Sequence, residues 1–527
     1  MSTESFKKIE DICQRSKGIS QYFRYGSLGY KYSVAHWLKS SCEVSLSAVE
    51  PGRLEDLQEI VKGGGHATNP RFSSVEDGLQ ISMIRFNELT LNSDNTVTMG
   101  SGCLWDEVYR YLNTKQRTVV GGAGAGGVGV AGWLLGGGYS LRTNQYGLGV
   151  DNIIEIGVVT PTGDFIKARQ DNDKTKDLFW ALRGGGNKLG IVTYFVLRTF
   201  PENGVYGGTL SYSAEKTESA MTAISNFTAK WKNHKTRDLK GAVVGAFRHA
   251  RVQGELRYEF TVQCFYSAPN VPEPNPFQEF LNIGPDRGSL NSTTYVALDT
   301  EFSLLHIAIP PTIDHIFSIL AAKYPAMDGI AELDYRGRWG CVMITDFTVN
   351  FMKKMWEEAK ENLMKEHSGL RVILDIWPFV DDIFQHKEAG PSAWPPANSQ
   401  AVFPMIVICY WEDPKDDKVW LDNMSATISG LSDFAKKNGA SYEGAPVYSN
   451  TTLGTTTPGE IYQSNLKQLV EIIKNIDPHG VMRRAGGFEI PSNASRLARE
   501  LERLSIDPKK AEKLKEILEL LLSIANA

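Results

Sequence analysis

Lys62 leads into three consecutive glycines and a histidine, Gly63-Gly64-Gly65-His66-Ala67. Successive glycine N–H groups form an anion nest that suits a pyrophosphate, and the imidazole at its edge would stand beside whatever that pyrophosphate carries. Taken alone, a histidine of this kind is more often structural. A second tract is denser: ten of the eighteen residues from Gly121 to Gly138 are glycine. Glycine lets backbone approach a bulky ligand closely and allows positive φ, so such a tract inside a folded protein points to a phosphate-rich or flat ligand. A flexible linker is the alternative, but linkers do not interleave Val128, Val130, Trp133 and Leu134 among their glycines. The tract runs into Tyr139-Ser140, then Asn144-Gln145-Tyr146-Gly147 and Asp151-Asn152. A third cluster, Asp177-Leu178-Phe179-Trp180-Ala181-Leu182-Arg183-Gly184-Gly185-Gly186, continues to Gly190-Ile191-Val192-Thr193, and far downstream stands Tyr448-Ser449-Asn450.

The elements around these clusters fall into four stretches. Residues 1–203 read as short strands and short helices with turn signals at Asn92–Asn95, Thr160–Gly163 and Gly184–Gly186. Residues 204–440 change character: alternating runs at Val243–Phe247, Gly254–Phe265 and Val402–Tyr410 predict an antiparallel sheet. Amphipathic stretches at Thr217–Lys232, Val349–His367 and Lys415–Asn438 would cover one face of it. Residues 441–491 read as a return to the first domain. In 492–527, Asp507 and Pro508 start an amphipathic helix that pairs with Ser495–Leu504 as a hairpin, suited to docking on the body or to joining copies into a homo-oligomer.

Composition excludes several classes. The 527 residues carry 56 basic and 61 acidic side chains, a formal charge of -5, too balanced for a charge-driven nucleic-acid binder. Hydrophobic residues at 42% and charged residues at 22% describe a folded chain rather than a disordered one. No apolar run approaches the roughly 18 residues of a membrane span. Met1–Ser20 lacks an apolar signal core, so the expected location is cytoplasmic; Asn226 and Asn291 in Asn-x-Ser/Thr triplets would matter only if a secretion signal had been trimmed. Six cysteines without a CxxC pair give neither a zinc spacing nor a disulfide scaffold, and no metal is expected. Gly122 to Gly127 fits G-x-G-x-x-G, but the residues after it are too glycine-rich for the helix a dinucleotide fold requires.

The ordered series GGGH, GGGY, NQYGL, VDN, DLFWALRGGG and GIVT, from Val61 to Thr193, with Tyr448-Ser449-Asn450 and the stretch Ile461 to Pro478, resembles the FAD-linked oxidases of the vanillyl-alcohol oxidase superfamily, in particular the berberine-bridge-enzyme-like group. The resemblance implies an α+β, bilobal protein: a PCMH-type FAD-binding domain and a substrate domain whose antiparallel sheet is covered by helices. It implies that Gly63, Gly64, Gly65, His66 and Ala67 contact the FAD, as do Val128, Gly129, Gly132, Gly136, Gly137, Gly147, Asp151, Asn152, Gly190, Ile191, Val192 and Asn450. His66 is the implied covalent attachment site. Ala125 stands where some members carry a second, cysteinyl link, so a single tether is expected. Val128 occupies the position that controls dioxygen access, where a small side chain goes with oxidase activity.

Catalysis of this kind removes a hydride from a substrate carbon while a base takes the proton from its OH or NH. The matched positions offer two phenols, Tyr139 and Tyr448. A tyrosine titrates near 10, so a phenol base needs hydrogen bonds or positive charge that favour phenolate. With an apolar run at Met405–Ile408 where other members carry a carboxylate or glutamine base, Tyr448 is the candidate base, with Tyr139 donating to it and Asp375 polarising the phenol; that both phenols only position substrate is the alternative. Trp339, Trp377 and Trp394 are candidate pocket walls. The expected reaction is oxidation of an alcohol, amine or ring carbon of a small secondary-metabolite-like molecule, with dioxygen reduced to hydrogen peroxide.

The chain departs from the family in one place. Between Pro51 and Val61 there are about ten residues where a helix and a strand are expected, which predicts an abridged first βαβ unit and puts FAD affinity in question. That abridgement and the extra terminal helices motivate a second reading, a flavin-fold scaffold without turnover that assembles through its C-terminal hairpin.

Overall fold

The computed structural model of the chain describes residues 3–34, 38–59, 69–124, 126–252, 255–307, 336–364, 369–386, 388, 390–396 and 399–490. The glycine–histidine motif Gly63–Ala67, Ala125 and the C-terminal hairpin lie outside the described residues.

The N-terminal part holds two sheets. In the first, β1 (Gln21–Arg24) pairs antiparallel with β2 (Ser47–Glu50), and β2 pairs parallel with β3 (Leu79–Ile81), Ser47 opposite Leu79. The helix after β2 is described over the six residues Leu54–Glu59, with residues 60–68 outside the described residues, and β2 finds its parallel neighbour in β3. The second sheet runs β4 (Leu89–Leu91), β5 (Thr96–Gly100), β9 (Ile191–Arg198), β7 (Ile153–Val159), β8 (Phe165–Arg169), all antiparallel. A two-residue ribbon of β6 (Arg117–Thr118) and β10 (Phe200–Pro201) closes its rim.

The alternating run downstream forms a seven-stranded antiparallel sheet in the order β14 (Asn291–Thr293), β11 (Val205–Tyr212), β13 (Glu255–Tyr266), β12 (Gly241–Val252), β16 (Gly369–Ile376), β17 (Phe403–Trp411), β15 (Arg336–Ile344). Its strands contain the three predicted runs. The three amphipathic stretches become helices Thr217–Ala229, Val349–Glu358 and Asp417–Lys437 on one face. The last shows why: Trp420, Met424, Thr427, Leu431 and Ala435 recur at helical spacing, all buried, and Trp420 stacks on Trp411 of β17 at 5.6 Å. Period-2 alternation then puts Val372, Leu374 and Ile376 under those helices and turns Arg371, Ile373 and Asp375 the other way.

One helix bridges the two halves. Tyr295–Ile307 follows β14, yet its Asp299 carboxylate accepts the Gly124 N–H at 2.8 Å and its Ser303 hydroxyl accepts the Gly126 N–H at 3.0 Å. Beneath it the fully buried Arg142, paired with Glu202, lies 3.9 Å over the Tyr295 ring. The glycine tract is thus held from the sheet side. No helix among the described residues is long and apolar enough to cross a membrane.

Candidate active site

The chain turns sharply through Gly137 and Gly138, at φ +117° and +84°, before Tyr139. A Cβ at Gly137 would come within 2.6 Å of the Trp394 ring, and one at Gly136 would collide with the Asn450 amide. These glycines make room for protein side chains from far along the chain, which a local reading could not separate from room for a ligand.

Four aromatic rings meet there. Tyr139 and Tyr448 contact edge to face at 4.9 Å; Trp394 lies 5.8 Å from the first and 5.2 Å from the second; Phe379 stacks on Tyr139 at 5.2 Å. Both phenols are almost fully buried. Their hydrogen bonds differ. The Tyr139 hydroxyl donates to the carbonyl of Val402, the residue before β17, at 2.6 Å, so the expected donation from one phenol to the other is not made. Tyr448 Oη instead receives the Asn450 amide at 2.9 Å, with the backbone amides at Tyr139 and Gly138 turned toward it. Burial drives the Tyr448 phenol up to about 12, and those donors hold it from going higher. Tyr139 is pushed well above its ordinary value by burial and then by Tyr448.

Asn450, placed at the cofactor by resemblance, spends its amide on Tyr448 and on the Trp133 carbonyl. Asp375 is the clearest correction. Its strand position aims it at Arg248, Arg371 and Tyr410, so the phenol whose titration it touches is Tyr410 rather than Tyr448. Asp151 Oδ2 accepts the Leu148 N–H at 2.8 Å, and the Asn152 amide donates to the carbonyls of Tyr146 and Leu148 at 2.9 Å each. Both shape the loop around Gly147, at φ +74°. Gly190, at φ +134°, lies so close to the Val159 carbonyl that no side chain fits. Ile191 and Val192 are buried behind it, Ile191 against Leu57, Met83 and Val159. Trp339 lies on the same face of the sheet as Tyr410, and Trp377 is buried at the end of β16.

The surroundings fit a large polar cofactor. Ser101 Oγ and Thr193 Oγ1 are buried with no hydrogen-bond partner among the described residues, and the backbones of these two residues are joined at 2.9 Å. A Cβ at Gly127, Gly129 or Gly132 would meet no described atom within 4 Å, and the Val128 carbonyl accepts the Trp105 N–H at 3.0 Å, fixing that strip in place. An open glycine strip and two buried hydroxyls needing partners suit the ribityl and phosphate groups of FAD.

Arg248, Arg371 and Tyr410 were not among the sequence candidates. The available signal was charge inside largely apolar strands, Arg248 in β12 and Arg371 with Asp375 in β16.

Residues 46–169 match a family described as FAD binding domain. The chain is 32% identical over 240 residues to an uncharacterised FAD-linked oxidoreductase of Arthroderma benhamiae, covering 45% of each chain. It is 25% identical over 491 residues to the FAD-dependent monooxygenase drtC of Aspergillus calidoustus, covering 89% of this chain and 87% of that one. The first of these matches spans less than half of that relative's length. Among solved structures, the Physcomitrella patens protein BBE-like 1 superposes with a TM-score of 0.68 at 17% identity, over 92% of this chain and 99% of that one. The matched family makes residues 46–169 an FAD binding domain. Over nine-tenths of its length the chain shares the fold of solved BBE-like structures such as that of Physcomitrella patens.

Proposed function

We propose that the protein is an FAD-dependent oxidase that removes a hydride from an alcohol, amine or ring carbon of a small secondary-metabolite-like substrate and passes the electrons to dioxygen, releasing hydrogen peroxide. FAD, when bound, supplies the hydride acceptor and the site of reoxidation. The residues present act around it. His66 tethers the ring and keeps it from leaving, as a single link. Val128 leaves room for oxygen. Tyr448 takes the proton from the substrate OH or NH at its Oη, helped toward phenolate by the Asn450 amide. Tyr139, committed as a donor to Val402, keeps the two rings perpendicular and walls the site with Phe379 and Trp394. A homo-oligomer through the C-terminal helices and a cytoplasmic location belong to the same proposal. The scaffold reading has less support: its terminal helices lie outside the described residues, and β2 keeps its parallel pairing with β3.

The observation that carries this reading is the asymmetry of the two phenols, one locked as a donor and the other surrounded by donors. In anaerobic stopped flow, Tyr448→Phe slows flavin reduction by about 100-fold or more with little change in substrate binding. An unchanged rate removes Tyr448 from the base role. Because the phenol sits near 12, wild-type reduction rises with pH through the neutral range without reaching a plateau, and the Phe variant loses that rise. The tether is read separately: purified protein is yellow and keeps its colour in the acid-precipitated pellet, whereas His66→Ala releases it. Quantitative flavin release from the wild type overturns the tether.

A further inference from the structure

The helix Tyr295–Ile307 has a second working side. Asp299 and Ser303, four residues apart, share the face that holds the Gly124 and Gly126 amides. Glu301, between them, projects about 200° around the helix axis from Asp299. There its Oε1 accepts the Thr209 N–H at 2.8 Å. That bond fills a break in the edge of the seven-stranded sheet. β14 pairs with β11 at Val205–Gly207 and the next bridge is Ser211 to Arg287, so the Thr209 amide between them takes its acceptor from a side chain.

A groove of about 340 Å³ opens at the same break, lined in part by Gly207, Thr209, Ser289, Asn291, Thr293 and Glu301. That volume suits a small molecule. Glu301 is the only charged side chain among the described residues that line it. Its Oε2 has no hydrogen bond or ion pair among the described residues. The Thr209 hydroxyl, on the very residue whose amide Glu301 receives, is buried and also without a partner among the described residues. Thr209 pairs with Gln263 and Gln263 with Val244, four positions before Arg248, which puts its side chain on the sheet face away from the covering helices.

An unpaired buried hydroxyl is costly, and a ligand hydroxyl that reaches it offsets that cost. A free carboxylate oxygen asks for a cationic donor, the stronger kind of hydrogen bond. The two groups are neighbours, so their complement is a molecule with an ammonium on one carbon and a hydroxyl on the next. Ser289, Asn291 and Thr293 add neutral polar groups to the wall without competing for the charge.

We propose that this groove is a second ligand site, taking a small vicinal amino alcohol with its ammonium on Glu301 and its hydroxyl on Thr209. None of its lining residues belongs to the aromatic cluster around Tyr448.

The test unfolds the purified full-length protein thermally against rising concentrations of ethanolamine, ethylamine and ethylene glycol, at fixed ionic strength and near neutral pH; binding to the folded state raises the midpoint. Ethanolamine acts at about tenfold lower concentration than either probe that lacks one of its two groups. Glu301→Gln, whose amide oxygen still accepts the Thr209 N–H, needs at least about tenfold more ethanolamine for the same shift. Thr209→Val keeps the backbone bond and loses only the hydroxyl, so it erases the advantage of ethanolamine over ethylamine; it decides the matter where Glu301→Gln does not fold. No shift with ethanolamine, equal shifts from the three probes, or an undiminished ethanolamine response in either variant overturns the proposal. The readout is unfolding rather than turnover, so it does not rest on the oxidase reading.

Discussion

Strand β12 turns Arg248 to one side of the seven-stranded sheet and His249, the next residue, to the other. Arg248 enters a charged wall with Arg371 and Asp375. His249 enters an aromatic cage, 4.9 Å from the rings of both Trp356 and Tyr258 and fully buried. On the helix side burial is achieved with apolar surface: Phe247 against Trp356, Trp411 against Trp420. On the Arg248 side the same backbone keeps charges and phenols out of water at a cost in stability. A sheet that carries such groups on one face only divides its work, one face stabilising the fold and the other available for recognition.

The contrast can be broken from the helix side first. Trp420→Ala removes a fully buried indole and costs about 3–5 kcal/mol in denaturant unfolding; an unchanged unfolding midpoint would mean that the helix face does not hold the sheet. His249 gives a smaller effect with a defined sign. Burial, then the Lys360 cation, push its imidazole down to about 3, so the folded protein holds it neutral while the unfolded chain titrates at its ordinary value. Below roughly pH 6.5 the unfolded state binds a proton that the native state refuses, and about 2 kcal/mol of stability is lost between pH 7.5 and 5. His249→Phe flattens that part of the stability–pH profile; an unchanged profile assigns the acid loss elsewhere. The smallest change is on the charged side. Thr261→Val removes one acceptor of Arg248 Nε and costs about 1 kcal/mol in denaturant unfolding; an unchanged midpoint would show that this hydroxyl does not steady the guanidinium.

Much of this architecture was readable in the chain. Strands β12, β13 and β17 and the three covering helices follow from periods of 2 and 3.6, because those periods report which face is buried and need no distant contact. The order of the glycine motifs pointed to the cofactor class. What stayed hidden depended on register. That Arg248 and Arg371, 123 positions apart in the numbering, share a diagonal is set by the pairing of β12 with β16. That Tyr139 donates to Val402 depends on where the chain enters β17, 263 residues away. Asp375 was singled out as a strand acid that would polarise the catalytic phenol, and for the same reason its turn toward Tyr410 was not legible. At Gly136 and Gly137 the absent side chains read as space for a ligand, whereas Asn450 and Trp394 fill it.

The bridging helix Tyr295–Ile307 has a consequence for how the protein can be handled. Two amides of the glycine tract, those of Gly124 and Gly126, are capped by Asp299 and Ser303, which the ribosome makes some 175 residues later. Until that segment has been synthesised and docked, the tract lacks both acceptors. A truncated fragment ending near residue 203 is therefore a poor vehicle for reconstitution, and loading with flavin belongs to the completed polypeptide.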